Sequence, residues 1–413
     1  MKIADKLWLY ILIGMLAGAV VGFAIAPDGL ALIPATLAET ISGYFKLLGQ
    51  IFLGLITMVI VPLVVFSIIL GINSSKDAGF VKSLGLRLVP YFACTSFVAI
   101  TIGILLAQFI APGHLVDATA IGAVAIEPNT FSDLTIPERM ANLIPTNPFQ
   151  AILHLDLLQI VIASVLVGLA VLGLNKERMA PFKDFCQAGQ DISMRIIEWA
   201  MAFAPIAVFG LMADLAIKMG PQAFVGLGGY VFTVLVGLIC VLFMYAVIVS
   251  VLARRNPLAF FKGIRTAQII AFSTSSSAAT MPVSMEVAED NLKVRPEISR
   301  MTIPLGATIN MDGTGIYQAI AAVFLCQFFG VDLSFTELFM LSLTIVGASI
   351  GTPATPGVGI VVLATIMTGL GVPAQGIGMI LGVDRILDMC RTAVNVTGDL
   401  TATTVMNRWL RQA

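Results

Sequence analysis

The sequence predicts an all-α polytopic membrane protein with eight transmembrane helices and two re-entrant helical hairpins. Three observations carry that prediction. The 413 residues are 58% hydrophobic and 11% charged, with a mean hydropathy of +0.98, whereas soluble domains average roughly 25% charged residues. So few charges do not cover a water-facing surface, and the bilayer becomes the solvent for most of the chain. Apolar segments long enough to span recur along the sequence. Two more apolar segments are broken in the middle by small polar residues.

Composition also excludes function classes. A net charge of −1 implies no bulk electrostatic partner. The basic residues fall in short clusters between apolar runs rather than on one face, which argues against nucleic acid. The five cysteines show no CxxC spacing, and their odd count argues against a disulfide framework. His114 and His154 do not make a His-rich metal site. No organic cofactor is implied.

The first element is the run Leu7 to Ile25, preceded by Lys2 and Lys6. It resembles a signal peptide, with Ala24-Ile25-Ala26 as a cleavage motif. Its 19 residues exceed the roughly 7–15 of a signal h-region, and Pro27 sits where cleavage would occur. It reads as an uncleaved first span. Further spans of roughly 20 residues or more follow near 45–72, 86–111, 148–173, 195–218, 224–252, 298–328 and 374–407.

The two interrupted segments lie near 258–284 and 335–370. Ser273-Thr274-Ser275-Ser276-Ser277 breaks the first, and Gly351-Thr352-Pro353-Ala354-Thr355-Pro356-Gly357 the second. Cytoplasmic loops carry an excess of Lys and Arg. With the N-terminus inside, and 258–284 returning to the side it came from, 18 Lys/Arg lie inside, three outside (Lys46, Arg139, Lys218) and two in the last helix. If 258–284 crossed once, the flanking clusters at 254–265 and 293–300 would lie on opposite sides. The segment therefore reads as a hairpin from the cytoplasmic side, and by parity 335–370 as one from outside. Arms of about 12–16 residues rise only ~18–24 Å, short of a ~30 Å hydrocarbon core. Irregular backbone at that depth survives where protein or a water-filled cavity satisfies it, and opposed broken helices place a binding site near the midplane. Two ordinary spans with weak centres are the alternative.

Three stretches carry chemistry. The last helix holds Asp384, Arg385, Asp388, Arg391, Asn395 and Asp399, and the positions 384, 388, 391, 395 and 399 share one helical face. Charges inside a membrane helix are costly and mark function by default; a structural Asp–Arg ladder is the alternative. Second, Gly306-Ala307-Thr308-Ile309-Asn310-Met311-Asp312-Gly313-Thr314 interrupts the seventh span. Gly306 and Gly313 favour local unwinding there, which frees carbonyls, while Asn310 and Asp312 add side-chain oxygens suited to a hard monovalent cation. A glycine-kinked helix with polar contacts is the alternative. Third, a half-helix beginning near Ser277 would aim free N–H groups and its positive dipole end at a carboxylate, although serine also mediates helix packing in membranes.

These residues resemble the dicarboxylate/amino acid:cation symporter family, the sodium-coupled glutamate/aspartate transporters. The matching motifs are Ser275-Ser276-Ser277 with Thr280 and Pro282; Asn310-Met311-Asp312-Gly313-Thr314; Ser349-Ile350-Gly351-Thr352 with Pro356-Gly357; and Asp388-Met389-Cys390-Arg391-Thr392 with Asn395-Val396-Thr397-Gly398-Asp399. The resemblance spans nearly the whole chain. It implies a glutamate-transporter-like fold with inverted repeats, a homotrimer in the cell inner (plasma) membrane with both termini cytoplasmic, and an elevator-type movement. Scaffold helices would occupy 1–75 and 146–222. The transport domain would comprise 223–413, joined by the third span and its outer loop at 76–145.

The resemblance also assigns roles. It puts Arg391 on a substrate side-chain carboxylate and Asp388 on its ammonium, with Ser276, Ser277, Thr314, Thr355, Gly359, Thr392 and Asn395 completing an acidic amino acid site. It implies about three sodium sites. One resembles Gly306, Asn310 and Asn395 carbonyls with the Asp399 carboxylate; a second, carbonyls at Thr308, Ser349, Ile350 and Thr352; a third, Thr95, Ser96, Asn310, Asp312 and the Phe92 carbonyl. Two departures stand out. Thr355 replaces an apolar residue usual in acidic-amino-acid members. Some archaeal members carry an arginine where Ser275 stands, whereas here an arginine lies in the last helix, Arg385.

Three other readings compete. Proton-coupled relatives often replace the sodium-site carboxylate by Asn, so Asp399 favours sodium. C4-dicarboxylate and neutral amino acid carriers belong to the same family, and Asp388 favours a substrate with an ammonium. An intramembrane aspartyl protease using Asp312 and Asp388 would need two carboxyls sharing a proton, and Arg391 one turn away would hold Asp388 ionised. The sequence therefore points to a transporter rather than an enzyme.

Overall fold

The computed structural model describes residues 7–27, 29–73, 78–115, 144–153, 157–219, 222–350, 358–369 and 374–410. Among them every regular element is helical and no strand occurs. The helices are α1 (Leu7–Ile25), α2 (Ala35–Ile72), α3 (Ala78–Ile110), α4 (Pro148–Leu153), α5 (Leu157–Gly173), α6 (Lys176–Met219), α7 (Gln222–Val251), α8 (Pro257–Thr274), α9 (Ser277–Glu286), α10 (Pro296–Ile309), α11 (Asp312–Phe328), α12 (Phe335–Ile350), α13 (Val358–Gly369) and α14 (Ala374–Trp409). The span expected at 148–173 is divided between α4 and α5. The one expected at 195–218 is the end of the 44-residue α6, kinkable at Pro181 and Pro205.

The surface is inside out relative to a soluble protein. On α7, Tyr230, Val234, Leu238, Val241, Tyr245 and Val249 are buried, while Phe232, Leu235, Ile239, Phe243 and Val247 are exposed. Both faces are apolar, as expected where one packs on protein and the other on lipid. By length and composition, segments 87–115, 177–218 and 225–251 are long and apolar enough to cross a membrane. The apolar stretches Leu9–Ile25 and Gln159–Gly173 are slightly shorter. The stripe of charges in α14 lowers its hydropathy, and the seventh span is cut in two.

Helix α6 packs along α1 and α2, and α2 packs on α5. Gly14, Gly18 and Gly22 bring α1 against the backbone of α6 at Pro205, Phe209 and Ala213, the close approach that small residues allow between membrane helices. On the other side α14 is central, touching α7, α8, α10 and α11, while α3 packs on α11.

Two helix breaks position the site. Between α8 and α9, Ser275 takes left-handed φ/ψ of 51°/31°, with its N–H donating to the Ala271 carbonyl. Ser276 then turns extended, and its hydroxyl accepts from Ala279 N–H at 3.2 Å, an N-cap for α9. The half-helix expected near Ser277 starts there. Its arms, of 18 and 10 residues, pack on each other and on α14; they are less equal than the 12–16 residues expected. For the segment 335–370, the arms are α12 and α13, and its centre at 351–357 lies outside the described residues.

The second break corrects an expectation. Gly306 lies inside α10 and Gly313 inside α11, so neither is unwound. Only Asn310 and Met311 leave helical geometry. The glycines serve close approach instead: a Cβ on Gly306 would strike the Asp399 carboxylate, and one on Gly313 the Arg391 carbonyl and Asn395 Oδ1.

Candidate functional site

Helix α14 brings its charged face into the centre of the protein. Asp384, Asp388, Arg391, Asn395 and Asp399 are all buried. Arg391, 2% exposed, is gripped from its own helix. Its Nε donates to Asp388 Oδ1 at 2.9 Å and an Nη donates to Asp384 Oδ1 at 3.2 Å. Its guanidinium lies 4.5 Å from the Tyr317 ring centroid of α11, a cation–π contact. It also packs on Gly359 of α13, where a Cβ would come within 2.7 Å of the guanidinium carbon. Arg385 reaches Asp388 from the rim at 3.4 Å. Two carboxylates and two guanidiniums balance within three turns.

Beside this cluster the α10–α11 break is stitched to α14. Asn395 Oδ1 accepts from Gly313 N–H at 2.8 Å, and its amide donates to Thr314 Oγ1 at 3.1 Å. Thr392 donates to the Asp388 carbonyl at 2.8 Å. Ser276 and Ser277, at the start of α9, are buried. The substrate residues expected from Ser276 through Asn395 thus come from four elements, α9, α11, α13 and α14, with Thr355 outside the described residues.

Two further carboxylates are buried with no cation bonded to them among the described contacts. Asp399 Oδ1 accepts from Asn310 Nδ2 at 2.9 Å and lies against Gly306. The same Asn310 amide donates to the Asn395 carbonyl at 3.1 Å. Gly306, Asn310, Asn395 and Asp399 therefore meet at one point. Asp312 accepts from Ser96 Oγ at 2.5 Å and from the Tyr245 hydroxyl at 2.8 Å. Thr95, beside Ser96 on α3, donates to the Phe92 carbonyl at 3.1 Å; of the residues expected for this second oxygen cluster, Ser96 and Asp312 meet directly, Thr95 and Phe92 lie on the same stretch of α3, and the Asn310 side chain turns to Asn395 and Asp399 instead. Of the remaining set, Thr308 is exposed on α10, with its hydroxyl on the Leu305 carbonyl at 2.9 Å. Ser349 and Ile350 end α12, and Thr352 lies outside the described residues.

Oxygen ligands around a carboxylate suit a hard cation, and the paired arginine–aspartate cluster suits a molecule bearing both charge signs. The sequence reading missed Tyr245, Tyr317, Gln318 and the grip of Asp384 on Arg391. Gln318 donates to the Gly359 carbonyl at 3.1 Å and so ties α11 to α13. It stands one turn after Thr314, a spacing that could have flagged it. Tyr245 and Tyr317 gave no such signal, because a tyrosine in an apolar span reads equally as packing.

Comparison with known proteins shows the family. The model of the sodium:dicarboxylate symporter family matches residues 7–409. The proton/sodium-glutamate symport protein of Bacillus subtilis (strain 168) is 34% identical, covering 89% of this chain and 86% of the relative. That of Geobacillus stearothermophilus is 31% identical over 97% and 93%. Excitatory amino acid transporter 3 of Homo sapiens is 30% identical over 88% and 79%. Members of this family are transporters rather than enzymes, and with the match running from the first helix to the last, the chain belongs to the sodium:dicarboxylate symporter family.

Proposed function

We propose that this protein is a secondary active symporter that takes up an acidic amino acid, aspartate or glutamate, together with sodium. The observation that carries the reading is Arg391, buried and held by Asp384 and Asp388 beside an oxygen-rich helix break. A zwitterion with an extra carboxylate offers each of these groups a new partner. Its ammonium pairs Asp388, its distal carboxylate takes Arg391 through parallel N–H···O bonds, and its α-carboxylate meets the N-terminus of α9. Ser276, Ser277, Thr314, Thr355, Gly359, Thr392 and Asn395 complete the site. A neutral amino acid leaves the substrate side of Arg391 unmatched, which should cost a few kcal/mol. The names of the relatives, glutamate symport proteins and excitatory amino acid transporters, support this cargo.

Sodium would bind at Gly306, Asn310, Asn395 and Asp399; at Phe92, Thr95, Ser96, Asn310 and Asp312; and at Thr308, Ser349, Ile350 and Thr352. In this reading α8–α9 and α12–α13 are re-entrant hairpins from opposite sides of the plasma membrane, both termini are cytoplasmic, and the protein is a homotrimer. Residues 1–75 and 146–222 form the scaffold. The transport domain at 223–413, together with the third span within 76–145, carries the site across as an elevator. A second coupling ion is also favoured by one observation: two relatives are named proton/sodium-glutamate symport proteins.

Uptake into proteoliposomes tests the reading. Sodium-driven accumulation of aspartate or glutamate, with serine and succinate rejected, is expected. Serine bound as tightly as aspartate would overturn the role of Arg391, and Thr355 would be examined next. Succinate matching aspartate would make the cargo a C4-dicarboxylate. Uptake driven equally by a proton gradient without sodium would replace the coupling ion.

A further inference from the structure

Three elements meet at one point between Asp312 and Asp399. Tyr245 of α7, Asn310 at the α10–α11 break and Gly398 of α14 are all buried. A Cβ on Gly398 would strike both the Tyr245 hydroxyl oxygen and Asn310 Nδ2. The two polar atoms therefore stand side by side, and the missing side chain leaves them their room. Tyr245 donates to Asp312 Oδ2 at 2.8 Å, and Asn310 Nδ2 donates to Asp399 Oδ1 at 2.9 Å. One hydroxyl and one amide thus span the gap between the two carboxylates.

The count of protons decides what this contact can do. A carboxamide has two N–H donors. Asn310 gives one to Asp399 Oδ1 at 2.9 Å and the other to the Asn395 carbonyl at 3.1 Å. These are two of the oxygens proposed above to hold sodium. N–H groups aimed at them put partial positive charge where the cation would sit, so amide and ion exclude each other. A displaced amide buried in apolar protein needs another acceptor. A tyrosine hydroxyl has one proton and can also accept. Tyr245 spends its proton on Asp312, which leaves an acceptor facing the neighbouring amide and no proton to repel it.

We propose that Tyr245 is a positioning residue that receives the Asn310 amide when sodium enters the Asp399 pocket, and so links the filling of that pocket to the Asp312 cluster. The amide leaves Asp399 and Asn395 and takes the hydroxyl oxygen beside it. A hydroxyl that accepts becomes a stronger donor, because hydrogen bonds in a chain polarise one another. The bond from Tyr245 to Asp312 tightens, and the carboxylate is held for the second ion. The same swing brings the Asn310 side chain to the Asp312 side, where the expected cluster includes it. Gly398 keeps the path between amide and hydroxyl open. The inference rests on sodium occupying the Asp399 pocket, as proposed above.

The test follows sodium without aspartate, as the rise in melting temperature of the purified protein when sodium replaces choline at constant ionic strength. Tyr245→Phe should raise the sodium concentration needed for a given rise about tenfold in the wild-type background, and by less than about threefold in Asp399→Asn, where no ion displaces the amide. A tenfold shift in both backgrounds would mean that the hydroxyl serves Asp312 alone, and the proposal fails. A lower melting temperature in choline with an unmoved sodium curve would make Tyr245 a support of the fold, and it fails again. Should Asp399→Asn show no sodium response, Gly398→Ala supplies the second arm. Its Cβ would part the hydroxyl from the amide and should reproduce the Tyr245→Phe shift, and an unshifted curve overturns the proposal. No response of the wild type to sodium over choline would overturn the proposed coupling ion itself, a result the variants do not mimic.

Discussion

The two halves of the polar face of α14 solve the problem of buried charge differently. In the first half, Asp384 and Asp388 meet Arg391 at 3.2 and 2.9 Å, and Arg385 closes on Asp388 at 3.4 Å. Charge is balanced within the helix. In the second half, Asp399 has an amide from Asn310 for company, and nearby Asp312 has two hydroxyls. A carboxylate held only by neutral donors in an apolar protein calls for an external cation. A balanced cluster calls instead for a ligand that exchanges pairs without leaving any charge alone. In the proposed reading, the contrast separates a substrate region on the first half of α14 from ion regions around Asp399 and, on α11, Asp312.

Breaking the balanced half should have the largest effect. Arg391→Cys leaves Asp384 and Asp388 buried without their cation, a loss of about 3–5 kcal/mol for one partner of a buried pair. Aspartate binding should fall at least about a hundredfold. Small neutral amino acids such as serine should bind more tightly than they bind the wild type, because no guanidinium is left unmatched. Isothermal titration in saturating sodium measures both. Unchanged aspartate affinity would show that Arg391 is purely structural.

Breaking the other half should show itself through sodium. Asp399→Asn removes the charge next to Gly306 and keeps the shape. Because coupling between sites is reciprocal, apparent aspartate affinity should fall strongly at low sodium and recover at saturating sodium. Equal loss at all sodium concentrations would assign Asp399 to the substrate rather than to an ion. A milder version sharpens the comparison at Asp312. Tyr245→Phe deletes one hydrogen bond to a carboxylate, about 1.5–3 kcal/mol. Sodium dependence should shift about tenfold or more, with the aspartate limit at saturating sodium little changed.

How much of this was legible in the sequence follows from the same contrast. The charged stripe of α14 could be read because all its members share one helix, and 3.6-residue spacing shows a face directly. The break at Ser275–Ser276 could be read because serine supplies both the N-cap and a tolerable local turn. The break at Asn310–Met311 was located, but its cause was misplaced. Gly306 and Gly313 looked like unwinding signals, yet they are small so that Asp399 and Asn395 can approach. Glycine permits both uses, and only the partner helix distinguishes them. The partners from other helices stayed hidden for the same reason: Tyr245 reaches Asp312 from 67 residues away. Helix ends also escaped, as with α6 beginning at Lys176, because a helix continues past the apolar stretch wherever water takes over as solvent.

The smallest expected effect concerns Arg385. It pairs Asp388 at 3.4 Å, longer than the 2.9 Å from Arg391, and its side chain is 14% exposed against 3%. A longer, more hydrated pair contributes less, about 1 kcal/mol or below. In the proposed site Arg385 would also compete with the incoming ammonium for Asp388. Arg385→Leu removes the weak pair and the competitor together, so the two effects oppose. Aspartate affinity should therefore change by less than about fivefold in either direction. The on-rate carries the clearer sign: a rim cation attracts the anionic substrate, so its loss should slow association, and more so at low ionic strength. Stopped-flow binding at two salt concentrations reads this directly. A hundredfold loss of affinity would place Arg385 alongside Arg391 in holding the substrate, and the division of α14 into a gripping arginine and a rim arginine would fall.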